Sequence, residues 1–289
     1  MFTKKFRDMP LKSKIELIIL GCVFFTSVIA FFSIHYISKA YDHALYNSVS
    51  TNLSYSASEI YASLQEAEEL ANMILANNTV QTQLPAIADE NSIRKKQNIE
   101  SSVYNTLTNY LFNTANRSIS YISILQENST ISTHSIRFQK VPMDVRNDLI
   151  KHGRLAQGAT IWVTDYSQEY GFFLVKELRE TNPFSLQPIG TLIINLNLNT
   201  LIEQTTVFHS SYEAPSFLMF DKGTDIYSSN PLREEDIEKL ISDTKEGYSV
   251  TNLNHKSFFA VKGQIPFYGW HYIAMISYDS IACLLYTSP

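Results

Sequence analysis

The chain has 289 residues, a formal net charge of −5 and 45% hydrophobic residues, with basic side chains concentrated near the N-terminus. That balance excludes a nucleic-acid binder: no basic stripe or recognition motif is present. Of two cysteines, Cys22 sits in an apolar run and Cys283 close to the end, so no disulfide is expected between them, as suits a bacterial exterior.

The first element is the apolar run Leu17 to Ile37, preceded by Lys4, Lys5, Arg7, Lys12 and Lys14. About 20 apolar residues match the roughly 30 Å hydrocarbon core of a bilayer. The basic cluster predicts a cytoplasmic N-terminus, with residues after Ser38 outside. A cleaved signal peptide is the alternative, but Ser38-Lys39-Ala40 carries a Lys where a small-x-small site is needed. The expected layout is a cytoplasmic tail over 1–14 and a transmembrane helix over 15–37. The lipid bilayer is thus the first expected partner.

A long polar helix is predicted over 38–83, free of Pro and Gly, with Pro85 just beyond it. Leu53, Ala57, Ile60, Leu64, Ala67, Ala71 and Ile74 alternate steps of four and three, which makes one narrow apolar seam. The seam can pair with a second copy in a homodimer or pack on the chain's own globular part. Its small Ala residues favour the second.

The remainder reads as an internal repeat. A helix is expected over Gln97–Ala115, strands over Ser118–Gln126 and Ile131–Phe138, and a helix from Pro142 to Lys151 ending near Gly153. Strands then follow at Thr160–Asp165, Phe172–Leu178 and Ile189–Asn197. The second unit repeats the order: strands Ser216–Asp221 and Asp225–Ser228, helix Arg233–Asp243, then strands Tyr248–Asn252, Ser257–Lys262 and Trp270–Ser277. Asp221-Lys222-Gly223 and Asn252-Leu253-Asn254-His255 read as hairpin turns. The expected class is α+β: a transmembrane helix, a stalk helix and two PAS-like antiparallel-sheet modules. The membrane-distal module spans 84–208 and the membrane-proximal one 209–282. Cys283–Pro289, Cys-Leu-Leu-Tyr-Thr-Ser-Pro, resembles the translation of a sequencing-library adapter and is set aside; the alternative is the apolar start of a second membrane helix.

Three stretches carry a family resemblance. Phe172-Phe173-Leu174-Val175-Lys176-Glu177-Leu178 with Pro188-Ile189-Gly190-Thr191-Leu192-Ile193-Ile194-Asn195-Leu196 resembles the closing strands of the distal module in YesM-type bacterial transmembrane histidine kinases. Phe217-Leu218-Met219-Phe220-Asp221 with Asp225-Ile226-Tyr227-Ser228 resembles the hairpin that opens their proximal module. Phe258-Phe259-Ala260-Val261 with the run Gly269 to Tyr278 resembles its closing strands, although that family often has Pro where Ser277 stands. The resemblance implies a double Cache ectodomain that detects a small extracellular ligand. It also implies a second membrane helix and a kinase region beyond this chain, and a response regulator as partner of that region. Chemoreceptors and membrane-bound transcription regulators share such ectodomains; an anchored surface hydrolase or adhesin is the alternative from another class.

No catalytic constellation stands out. His35, His43, His134, His152, His209, His255 and His271 form no i, i+4 pair, and there is no phosphate loop or Gly-x-Ser-x-Gly elbow. No cofactor and no metal are expected. Glu234-Glu235-Asp236 suits the positive end of a helix dipole. Tyr121, Arg137, Trp162, Asp165 and Tyr166 are the candidate ligand-binding residues, because an aromatic face with one charge of each sign suits a small organic ion or a sugar. The alternative is that Tyr121 and Trp162 are ordinary sheet core. Trp270 is expected to anchor the proximal module.

Overall fold

The computed structural model describes residues 10–127, 129–181, 185–205, 216–229, 232–244, 247–253, 256–265 and 268–277. The basic cluster before Met9, His209, the Asn254-His255 turn and the Cys283–Pro289 segment lie outside the described residues. The chain divides into two compact units, Met1–Thr51 and Asn52–Pro289.

The first unit is helical. Helix α1, Leu11–Ala76, begins in it, and its stretch Ile18–Ile37 has a mean hydropathy of 2.2 with none of its residues buried. Phe24, Phe25, Phe31 and Phe32 all point outward, an arrangement that water penalises and a bilayer accepts.

In the second unit, α1 contributes Ala57, Ile60, Leu64, Ala67, Ala71 and Ile74, each buried within the chain itself. The Leu53 side chain lies outside the described residues. The heptad seam is therefore core of its own domain. The predicted stalk end moves, however. α1 stops at Ala76, and Asn77 caps a new helix, α2 (Asn78–Asp89), its Oδ1 accepting from the Thr79 and Val80 N–H groups. That cap starts a helix strong enough to run through Pro85, which breaks one backbone hydrogen bond without ending it. α3 follows over Ile93–Asn113, with Val103 and Leu107 buried.

The first sheet module comprises β1 (Ile119–Gln126), β2 (Ser129–Ser132), α4 (Ser135–Gln139), α5 (Met143–Leu155), β3 (Thr160–Val163), α6 (Ser167–Tyr170), β4 (Phe172–Arg179) and β5 (Pro188–Leu196). Helix α7, Leu198–Thr205, leads on. The second comprises β6 (Ser216–Asp221), β7 (Thr224–Ser228), α8 (Glu234–Asp243), β8 (Gly247–Leu253), β9 (Lys256–Gln264) and β10 (His271–Ser277). Each sheet is antiparallel, and both have the same order: β2-β1-β5-β4-β3 and β7-β6-β10-β9-β8. The repeat read from the sequence is thus a repeat of topology.

Two local expectations need correction, and a third holds. The strand expected over Ile131–Phe138 ends at Ser132; residues from Ser135 form α4 because the His134 Nδ1 accepts from the Arg137 N–H and caps it. Gly153 does not end α5 but lies buried inside it. A Cβ there would come within 3.1 Å of Thr191 and Val175 side-chain carbons, so glycine permits the helix to approach the sheet closely. The Asp221-Lys222-Gly223 turn forms as expected, with Lys222 and Gly223 at φ +48° and +91°.

Period-2 alternation divides the first sheet's residues between two layers. α2 and α3 pack on β1, β2 and β5, while α4 and α5 pack on β1 to β5. Beneath α4 and α5, Tyr121, Leu125, Val163, Phe173, Val175 and Ile193 form one buried cluster with Phe138, Val141, Val145 and Leu149. In the second module, Leu218, Phe220, Ala260, Ile273 and Met275 close against Ile237 and Leu240 of α8. Each fully buried aliphatic side chain stabilises by about 1.5–3 kcal/mol relative to exposure.

Candidate functional site

The first module carries a cleft of about 1180 Å3 at the end of its sheet where β1 turns into β2 and β4 connects to β5. Helix α5 forms one wall, through Arg146 and Ile150, and the connection from α2 to α3 forms another, through Glu90 and Asn91. Two glutamines fix that geometry. Gln126 Nε2 donates to the Leu84 and Ile189 carbonyls at 2.9 and 2.8 Å, and Gln81 ties α2 to the Arg179 carbonyl and the Thr181 N–H.

The floor of the cleft is polar and unevenly satisfied. Glu177 is buried but committed to Arg179, whose Nε donates to it at 2.7 Å. Arg146 is different. Its guanidinium lies 5.4 Å from the Phe138 ring centroid, and its Nε is buried with no hydrogen-bond partner among the described residues. The Tyr121 hydroxyl is likewise buried and unpartnered, while its ring meets Phe138 edge-on at 5.8 Å. Burial pushes the Tyr121 phenol well above its ordinary range, partly countered by Arg146. A buried polar group without a partner costs about 1–3 kcal/mol. Arg146 lines the cavity, so a ligand oxygen that meets its Nε gains more than it would on ordinary surface.

The five sequence candidates separate. Tyr121 and Tyr166 pack on the same apolar cluster. The Tyr166 hydroxyl donates to Asp148 Oδ2 on α5 at 3.0 Å, and burial followed by that carboxylate raises its pKa. Asp148 also meets His152 Nε2 at 3.3 Å. Arg137 on α4 and Asp165 after β3 are exposed. Trp162 lies on the other face of the sheet: the register runs Trp162–Leu174–Ile194–Ile122, one residue out of step with Tyr121. Its indole Nε1 donates to Glu68 of α1 at 2.8 Å. Trp270 meets Phe172 of the first module at 5.4 Å, so it joins the modules as well as anchoring one.

Arg146 and Glu177 were missed. A signal existed for Arg146: it adjoins Val145 and stands one turn before Ile150, which puts it at the rim of the buried stripe of α5. Glu177 sits in a continuous run of buried strand residues, where its parity on the α5 face follows only from the register.

No family model matches the chain. Over 278 residues, 96% of the chain, it is 17% identical to the sensor histidine kinase YesM of Bacillus subtilis (strain 168), and it spans about half (47%) of that protein's length. Among solved structures, it resembles an extracellular domain assigned to a histidine kinase, vpHK1S-Z8, with a TM-score of 0.55 and 11% identity over 85% of this chain and 96% of that one. A second such domain, soHK1S-Z6, gives a TM-score of 0.53 and 15% identity over 84% and 97%. At these identities the structural likeness speaks for fold. The chain thus has a double Cache, tandem PAS-like fold behind an N-terminal apolar helix, and nearly its whole length is similar to about half of a sensor histidine kinase.

Proposed function

We propose that this chain is the membrane anchor and extracytoplasmic sensor region of a bacterial signalling protein, with histidine kinase output and a response regulator downstream. The observation that carries this is the pairing of one exposed 20-residue apolar helix with a double Cache fold, along a sequence 96% of which aligns with 47% of a sensor kinase. In this reading the membrane-distal module, residues 84–208, takes a small extracellular ligand in its cleft, against Arg146 and Tyr121. Tyr166 supports that site by fixing Asp148, while Trp162 serves the connection to α1 instead. The chain works as a homodimer, because a sensor of this kind transmits through paired membrane helices. Ligand binding favours one of two helix arrangements, and coupling of this type is worth typically 1–3 kcal/mol.

A reporter enzyme active only outside the cytoplasm tests the topology. Fused after Asp42 it is expected to be active, and fused at Met1 inactive. Activity in the reverse pattern overturns the sensor reading. Neutralising Lys4, Lys5, Arg7, Lys12 and Lys14 together weakens the orientation, since that basic bias sets it.

A further inference from the structure

Three elements meet on one carboxylate oxygen. Glu68 Oε1, on α1, accepts from Trp162 Nε1 of the first module at 2.8 Å and from the Tyr268 hydroxyl of the second at 2.9 Å. Trp162 belongs to β3, a four-residue edge strand held by β4 alone. Tyr268 precedes β10, the central strand of the second sheet. An aromatic cluster surrounds the oxygen. Trp162 meets Tyr268 edge-on at 6.3 Å, Tyr268 stacks on Trp270 at 5.1 Å, and Trp270 meets Phe172 at 5.4 Å. Lys176, buried on the same face as Trp162, feels the Glu68 charge and donates to Thr160 Oγ1 at 3.0 Å.

We propose that Glu68 is a latch: because one oxygen serves both modules, the docking of the second module on α1 depends on the position of strand β3. An edge strand with one partner is the part of a sheet that moves most readily. If β3 shifts, the indole N–H leaves Glu68, and Tyr268 is left as the only one of the two donors on that oxygen. A separate contact, from the Ser167 hydroxyl to the Ile226 carbonyl, joins the modules directly and bypasses α1; the latch differs in joining both modules to α1 through one oxygen. The latch requires no ligand and stands independently of the distal-cleft reading.

The chain's two tryptophans, Trp162 and Trp270, both lie in this junction, so intrinsic fluorescence reports on it. The full chain in lipid nanodiscs is compared with Glu68→Ala, Trp162→Phe and Tyr268→Phe. Glu68→Ala is expected to shift emission to longer wavelength and increase acrylamide quenching. Trp162→Phe keeps a ring but loses the donor and leaves Trp270 as sole reporter. It is expected to make Trp270 more quenchable and to increase hydrogen exchange in β10, across the module boundary. Tyr268→Phe is expected to increase exchange in β3 reciprocally. If Glu68→Ala does not fold, the two conservative variants still decide. Wild-type quenching of Trp270 together with wild-type exchange in β10 for Trp162→Phe overturns the latch.

Discussion

The two sheet modules share one strand order and differ in what covers the sheet. In the first, the chain between Ser132 and Thr160 supplies two helices, and α5 approaches so closely that Gly153 is required, yet a cleft stays open beside Arg146. In the second, the shorter connection from Ser228 to Gly247 supplies α8, whose Ile237 and Leu240 close on an apolar face. A common sheet thus carries an open cleft or a closed face according to one connection. The strands set the frame; the cover decides whether a side chain such as Arg146 lines an open cleft.

Substitutions can break this comparison, beginning with the largest expected effect. Gly171 has φ +83°, and a Cβ there would fall 2.2 Å from the Leu196 carbonyl oxygen. Gly171→Ala is expected to cost on the order of 3 kcal/mol or more, since backbone must move. Gly223→Ala, at φ +91° but in open space in the second module, should cost about 1 kcal/mol. Chemical denaturation would show the difference, and equal losses would mean the tight β4–β5 crossing is absent.

Cover residues give the next test. Leu149 under α5 and Leu240 under α8 are both buried, so either change to Ala should cost about 2–5 kcal/mol. Ligand-induced stabilisation should fall only for Leu149→Ala, because that residue seats α5, which walls the cleft. A loss confined to Leu240→Ala would place the site in the second module.

A smaller effect carries the opposite sign. Tyr121→Phe removes a buried hydroxyl that has no partner, and in the ligand-free protein it should be neutral or stabilise by about 1 kcal/mol. It should also change the alkaline limb. The folded phenol titrates above its ordinary value of 10.0, so above pH 10 the unfolded state releases a proton that the folded state keeps, and stability falls. Below about pH 9 this group contributes no pH dependence. Tyr121→Phe should flatten that fall in thermal melts. A steeper limb in the variant would show that the hydroxyl is satisfied.

Much of this architecture was legible in the sequence. The apolar runs within Phe172–Leu178 and Ile189–Asn197, the Lys222-Gly223 turn and the Ala-rich seam each marked an element that formed. The misread places are those where a local signal met a tertiary one. Pro85 looked like a stop, but Asn77 had already started a helix able to carry it. Gly153 looked like a helix end, but its role is clearance against Thr191 and Val175. Ser135–Gln139 looked like strand until the His134 cap was visible. Of the candidate site residues, Tyr121 and Tyr166 pack on the apolar cluster beneath α5, the helix that walls the cleft. Trp162 was assigned beside Tyr121 because both are aromatic strand residues. Their faces are set by register across β3, β4, β5 and β1, which no single strand encodes.

The central claim is that the first module, and not the second, receives the ligand. Hydrogen exchange of the full chain in lipid nanodiscs, with and without a low-molecular-weight ultrafiltrate of yeast extract, tests it most directly. The account predicts slower exchange in α5 and at the facing ends of β4 and β5, lost in Arg146→Met and retained in Tyr227→Phe. Slower exchange confined to α8 and β8 to β10, indifferent to Arg146→Met, would contradict it.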